Sequence, residues 1–154
     1  MISTRPAAAE PIRFRCREVT AEGPSVARVR EDFAAWLRRC TDLEEARRCD
    51  VVLAVHEALA NAAEFAYWPD RRAGTVDLEA TVGDGALTVT VLDHGHWRST
   101  SRTPRRRCRG RGIPLMRILA DGVDIDATPA GTIVRLRFDD AHAARSDEGT
   151  ARGR

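Results

Sequence analysis

The chain has 154 residues, of which 43% are hydrophobic and 31% are charged, and its formal net charge is +2. A chain of this length can bury one substantial core but hardly two. It contains no apolar run approaching the roughly 18 to 20 residues that a bilayer span requires, so we expect no membrane segment. Residues 1–10 lack the apolar stretch of a secretory signal, and we therefore expect a cytoplasmic protein.

The cysteines, histidines and lysines of the chain indicate which metal and nucleotide sites it can contain. The four cysteines form no C-x-x-C pair and the four histidines lie at no zinc-like spacing to them, so we expect reduced, mostly packed thiols and no structural metal. All 25 basic residues are arginine, and the absence of lysine excludes a P-loop, whose motif requires one. Residues 94–120 contain eight arginines and no acidic residue, so a basic segment interrupts an otherwise acidic chain.

The first half of the chain predicts one strand and two helices. Residues 13–20 alternate apolar and charged side chains, as a half-buried strand does. The G-P-S run at 23–25 predicts a turn and a helix cap, after which apolar residues at spacings of three and four predict an amphipathic helix to about residue 40. Acidic residues favour a second helix start near residue 44, and W-P-D at 68–70 should end that helix.

The second half of the chain predicts two hairpins separated by a loop and a short helix. The turn signals are G-D-G at 83–85 and T-P-A-G at 128–131, and residues 94–112 have few apolar anchors and predict a long loop. Residues 1–9 and 139–154 also lack apolar anchors, so we expect disordered tails around a domain at 10–138. The remaining predicted elements are strands at 75–82 and 86–92, a helix at 113–120, and strands at 123–127 and 132–138.

A polar stripe runs along the second predicted helix. Residues 51–67 are apolar on nearly every side, yet Glu57 and Asn61 lie one turn apart on one face, with side-chain bases about 5 to 6 Å apart. Burying a carboxylate and an amide is costly unless both find partners, so the pair predicts a ligand pocket, whereas Asp50 and Glu64 fit a solvated face equally well. The amide oxygen can join the octahedral shell of Mg²⁺, and the carboxylate can accept a proton.

Two further segments place polar groups at strand ends. Apolar residues lead to Asp93 at the end of a predicted strand, and Gly95 lets a flat group approach the backbone. Asp93 could accept a hydrogen bond from an adenine amino group, although D-H-G alone is also an ordinary strand-to-loop turn. Gly131 and Thr132 enter the last strand, where the threonine hydroxyl could contact a base.

A glycine-flanked turn opens the third predicted helix. It contains Arg109, Gly110, Arg111 and Gly112, and Pro114 falls in the first turn of the helix. Free backbone N–H groups at such a helix start attract phosphate oxygens, and either arginine could add positive charge. Gly-x-Gly alone is weak support, so the turn gains meaning only together with the other motifs.

Taken in chain order, these motifs resemble those of the Bergerat-fold (GHKL) ATPases, the superfamily of gyrase, the heat-shock-90 chaperone, histidine kinases and mismatch-repair ATPases. The motifs are E-A-L-A-N at 57–61, D-H-G at 93–95, G-R-G-I-P-L-M at 110–116 and G-T at 131–132. The chain is most similar to the anti-sigma-factor serine/threonine kinases, over residues 10–138. The resemblance implies an α+β fold, a two-layer α/β sandwich with helices on one face of a mixed, mainly antiparallel sheet.

The resemblance implies ATP and Mg²⁺ as ligands and assigns roles to the motif residues. Glu57 is expected to be the general base and Asn61 the magnesium ligand. Asp93 is expected to contact the adenine, and Gly95 to let the nucleotide approach the backbone closely. Gly110 and Gly112 are expected to form the hinge of the lid on the phosphate side, and Thr132 to line the adenine pocket.

The implied function is a serine/threonine kinase that phosphorylates an anti-sigma antagonist and sequesters a sigma factor, commonly as a homodimer. Two departures from the family pattern bear on this expectation. His96 stands where a second glycine is usual, and Phe65 replaces a customary histidine. His96 motivates an alternative, a non-catalytic partner-switch module with weak or no ATP binding. Nucleic-acid binding through the arginine cluster is disfavoured, because Trp97 is its sole aromatic residue and the rest of the chain is acidic.

Overall fold

The computed structural model of the chain describes residues 10–66, with side chains through residue 64, and residues 74–94, 112–128 and 130–145. Within these residues the elements follow the predicted order of one strand, two helices, a hairpin, a helix and a second hairpin. They are β1 (Ile12–Thr20), α1 (Gly23–Cys40), α2 (Glu45–Ala66), β2 (Thr75–Gly83), β3 (Ala86–Asp93), α3 (Gly112–Leu119), β4 (Gly122–Thr128) and β5 (Gly131–Asp139).

The described strands form a five-stranded sheet in the order β1-β2-β3-β5-β4, and each neighbouring pair is antiparallel. The predicted hairpin between β2 and β3 is confirmed, because Asp84 and Gly85 both have positive φ (52° and 74°), as a tight two-residue hairpin turn requires. β3 lies at the centre of the sheet and pairs with β5 in the antiparallel direction. Its last residue, Asp93, therefore lies beside the start of β5.

One face of the sheet carries the core. In β2, alternate residues from Val76 to Val82 are buried, which gives the period of two expected of a half-buried strand. α2 packs across β2, β3 and β5 on this face, and α1 packs on β1. The opposite face carries charged pairs such as Arg15 with Glu79, whose Nε and Oε1 lie 2.9 Å apart. The predicted two-layer α/β sandwich is confirmed.

An aromatic cluster fixes α1 to the edge of the sheet. The ring centroid of Phe14 on β1 lies 5.5 Å from that of Phe33 and 5.6 Å from that of Trp36, both on α1. The start of α1 differs from the expectation of a cap at 23–25. The helix begins at Gly23 with Glu22 as the N-cap residue and without a side-chain capping bond, because Pro24 already supplies a first-turn residue that needs no N–H partner.

The C-terminal segment packs against the fold beyond the predicted end of the domain. Ala141 is fully buried, and Thr41 forms an isolated antiparallel bridge with Ala143. The Asp42 amide donates to the His142 carbonyl over 3.0 Å. The expectation of a disordered tail from residue 139 therefore begins several residues too early, because backbone hydrogen bonds supply what the sparse apolar residues do not. Among the described helices, none combines the length and apolarity that crossing a bilayer would require.

Candidate functional site

The first half of the candidate site lies where α2 meets the start of α3. Gly112, the first residue of α3, is buried, and a Cβ built on it would lie 3.1 Å from Glu57 Oε2. The same point lies 3.3 Å from Asn61 Nδ2 and 3.4 Å from Asn61 Oδ1. The carboxylate and amide that the sequence places on one helical face therefore converge on the backbone of a third motif, and glycine at 112 leaves room for both side chains.

The packing of α2 explains why the side chains of Glu57 and Asn61 both lie beside the start of α3. Ala58, Leu59 and Ala62, which alternate with them along the helix, are buried in the core. Glu57 and Asn61 are half-buried and face α3 instead. The first N–H groups of a helix have no intrahelical partner and carry partial positive charge, so the N-terminus of α3 favours a nearby carboxylate or phosphate.

The second half of the candidate site lies where β3 ends and β5 begins. Asp93 is 4% exposed, and the Thr132 amide donates a hydrogen bond to Asp93 Oδ1 over 3.3 Å. Gly131 has φ of 140°, and a Cβ there would fall 1.9 Å from the Asp93 carbonyl oxygen. Only glycine permits this approach of the two backbones, and the approach brings the Thr132 amide to the carboxylate.

A hydrogen-bonded group beside Asp93 was not predicted from the sequence. His94 Nε2 lies 3.0 Å from Asp77 Oδ2, and the Glu18 amide donates to Asp77 Oδ1 over 2.7 Å. Burial raises the pKa of Asp77, but the hydrogen bonds from Glu18 and His94 and the charges of His94 and Arg17 outweigh it, so the pKa lies below its ordinary value of 3.8. This group ties the end of β3 to β1 and β2.

The sequence of most of the folded region matches one family. The pattern that describes the histidine kinase-like ATPase domain matches residues 19–138. The chain belongs to the histidine kinase-like ATPase domain family. The match spans both halves of the candidate site, and the predicted resemblance to this superfamily is confirmed.

Solved structures share the fold of this ATPase domain. One similar structure contains the RsbU and RsbW domains of Rv1364c from Mycobacterium tuberculosis, with a TM-score of 0.63 and 23% identity over 88% of this chain and 34% of that chain. Another is the histidine kinase domain from Erythrobacter litoralis EL346 blue-light activated histidine kinase, with a TM-score of 0.51 and 22% identity over 79% of this chain and 61% of that chain. The chain thus spans about one third and three fifths of these two structures.

Several predicted site residues lie outside the described part of the chain. They are Gly95, Arg109, Gly110 and Arg111, and their roles stay predictions, as does the effect of His96. Among the described residues, the side chains of Glu57 and Asn61 lie beside Gly112, whereas the Asp93 carboxylate is hydrogen-bonded to Thr132. α2, which carries the first pair, packs directly on β3 and β5, which carry the second.

Arg47 on α2 makes contacts with the end of α3 that the sequence did not reveal. One of its guanidinium nitrogens donates to the Leu119 carbonyl at the end of α3 over 2.8 Å, and the other pairs with Asp121. Its guanidinium carbon lies 5.4 Å from the centroid of the Phe138 ring. These contacts tie α2 to the C-terminal end of α3, the short helix whose first residue, Gly112, lies beside Glu57. In the sequence, Arg47 is simply one arginine of a charged helix start.

Proposed function

We propose that this domain binds ATP with Mg²⁺ and transfers the γ-phosphoryl group to a serine or threonine of a protein partner. The observation that carries the proposal is the convergence of Glu57 and Asn61 on the backbone of Gly112. A carboxylate, an amide oxygen and a helix N-terminus in one place form a suitable environment for a triphosphate and its metal. Membership of the ATPase domain family supports the same ligand.

The residues at each end of the candidate site fit the two ends of ATP. Asp93 is buried and held by the Thr132 amide, so its carboxylate is oriented to accept a hydrogen bond from the adenine amino group. The Asn61 side-chain oxygen is a hard donor of the kind that Mg²⁺ prefers, and the half-buried Glu57 carboxylate lies beside the same glycine. The metal, when bound, would neutralise charge on the phosphate oxygens.

The chain's own groups account for the proton transfer. The Glu57 carboxylate accepts the proton of the attacking hydroxyl as the hydroxyl oxygen bonds to the γ-phosphorus. The bond from that phosphorus to the bridging oxygen breaks, and ADP leaves with the electron pair. The N–H groups at the start of α3 lie beside Glu57 and stabilise negative charge without reorganising. Phosphoryl transfer depends mainly on such positioning and charge stabilisation.

The finer proposal is an anti-sigma regulatory protein of the cytoplasm. In this role the domain phosphorylates an anti-sigma antagonist and sequesters a sigma factor as a homodimer. The motif resemblance supports it, and so does the shared fold with a structure that contains an RsbW domain. The second candidate is a partner-switch module that binds proteins without catalysis, which His96 in the place of a glycine favours.

The test compares Glu57→Ala with the wild-type chain. We expect the variant to lose phosphoryl transfer to the candidate antagonist, measured with γ-labelled ATP, while calorimetry with ATP and Mg²⁺ still detects binding. Glu31→Gln, on the exposed side of α1, is the matched control and should transfer normally. Undiminished phosphorylation by Glu57→Ala would refute the assigned role. No heat of ATP binding to the wild type, with tight capture of a sigma factor, would favour the non-catalytic module.

A further inference from the structure

A groove between α1 and α2 is not used by the proposed chemistry. It is open, has a volume of about 380 Å³, and lies on the side of α2 that faces α1, whereas Glu57 faces α3. Its apolar surface includes Leu53, which is 41% exposed. Cys49, also exposed, lines the same groove, which corrects the expectation that the thiols are packed.

The rim of the groove is positively charged. Arg30, Arg38 and Arg48 line it, against a single acidic residue, Glu45. Arg48 donates to the Leu43 carbonyl, which fixes its position. Within the described part of the chain, Arg30 and Arg38 form no ion pair or side-chain hydrogen bond. Arg30 and Arg38, both on α1, therefore stand beside the apolar surface of the groove without an ion-paired carboxylate among the described residues.

One residue that lines the groove has an unsatisfied polar atom. His56 lines the groove, and its Nδ1 is buried without a hydrogen-bond partner among the described residues. Buried polar atoms of folded proteins normally have a partner, and an unpaired one usually needs an explanation. An exposed leucine, two uncompensated arginines and an unsatisfied imidazole nitrogen together distinguish this groove from ordinary solvated surface.

We infer that this groove docks an acidic amphipathic helix of a partner protein. A groove between two packed helices can accept the apolar face of a third helix. That face consists of side chains at positions i, i+3, i+4 and i+7. Carboxylates beside that face would pair with Arg30 and Arg38, giving fast, salt-dependent association. A second copy of this chain bound through the same face is a poor occupant, because each groove carries three arginines against one acidic residue and two such faces would repel each other. The inference does not depend on the proposed kinase activity.

The test uses a synthetic, fluorescein-labelled helical peptide with leucine at the positions of the apolar face and glutamate on both flanks. Fluorescence anisotropy should show saturable binding to the wild-type chain, with a dissociation constant below about 1 mM, that weakens with added salt. Arg30→Glu with Arg38→Glu should weaken it at least about tenfold, and Leu53→Asp should do the same. The matched control is Arg28→Glu with Arg39→Glu, which makes the same charge change on α1 outside the groove and should cost less than about threefold.

A second readout needs no variant. Bound peptide should slow alkylation of Cys49, measured at that residue by mass spectrometry, while a peptide with lysine in place of glutamate should not. Equal binding by both double-arginine variants, absence of saturable binding, or unprotected Cys49 would each overturn the inference. Self-association of the wild type in sedimentation equilibrium that Leu53→Asp abolishes would also overturn it, in favour of a second copy in the groove.

Discussion

Replacing Gly131 by alanine tests how the start of β5 positions Asp93. A Cβ at this position would lie 1.9 Å from the Asp93 carbonyl oxygen, far inside the 3.0 Å below which real Cβ contacts are essentially never seen. The φ of 140° is also one that L-residues rarely adopt. The atom in conflict belongs to the backbone, so the overlap cannot be relieved by turning a side chain. Either the end of β3 or the β4–β5 turn must therefore move by roughly 1 Å.

The cost can be worked from these two terms. A residue forced into a sparsely populated dihedral region costs about 1–3 kcal/mol, and overpacking costs about 1–3 kcal/mol. We therefore expect the free energy of unfolding to fall by about 2–6 kcal/mol, a large share of the roughly 5–15 kcal/mol of a typical domain. The same displacement would break the 3.3 Å hydrogen bond from Thr132 to Asp93, so the affinity for ATP should fall at least about tenfold.

Urea unfolding followed by tryptophan fluorescence measures the stability, and calorimetry measures the affinity. Gly122→Ala is the matched control, because its Cβ would meet Arg137 Cβ at an ordinary 3.4 Å and its φ is not positive. The control should lie within about 1 kcal/mol of the wild type. A Gly131→Ala variant with the wild-type unfolding midpoint and ATP affinity would show that the two backbones do not approach in this way.

Two further predictions follow from the same geometry. Gly112→Ala brings a methyl group within 3.1 Å of Glu57 Oε2, the end of a side chain that can shift. The free energy of unfolding should therefore change by less than about 1 kcal/mol, while the rate of phosphoryl transfer falls about tenfold or more. A proportional loss of stability and transfer would contradict this separation. Because folding lowers the pKa of Asp77, its stabilisation is present above the unfolded value of about 3.8 and is lost as the pH falls through the folded value. Unfolding of the wild type and of Asp77→Asn should therefore differ more at about pH 6 than at about pH 3, and a difference independent of pH would exclude this linkage.

Local patterns predicted the elements because each has a periodicity or a turn signal of its own. The alternation in β2 and the G-D-G turn at 83–85 are short-range features, and the structure has both. The helical spacing of Glu57 and Asn61 likewise fixes their shared face without knowledge of the fold. The packing of α3 against that face is a tertiary contact, and only the order of motifs in a known superfamily led us to expect it.

Other features depend on contacts between distant segments and carry no local signal. In the sequence, Asp77 looks like any outward-facing residue of a strand. Its hydrogen bond from the Glu18 amide accompanies an irregularity of β1, where Glu18 has a φ of 53°, and its other partner is His94, just after β3. In the sequence, Arg47 resembles any charged residue of a helix start. Its role as a donor to the end of α3 is visible only in the folded structure. The segment after β5 was expected to be disordered because its interactions are mainly backbone hydrogen bonds, which composition does not reveal.

The two ends of the candidate site use glycine for different physical reasons. At Gly131 the neighbour is the backbone of Asp93, so glycine is required for the fold of the β3–β5 junction as well as for the adenine contact proposed there. At Gly112 the neighbours are the ends of the Glu57 and Asn61 side chains, which can move at little cost to stability. Substitution at 131 should therefore couple stability to nucleotide affinity, whereas substitution at 112 should separate them. A change at Gly112 should therefore alter the proposed catalysis while the fold is kept.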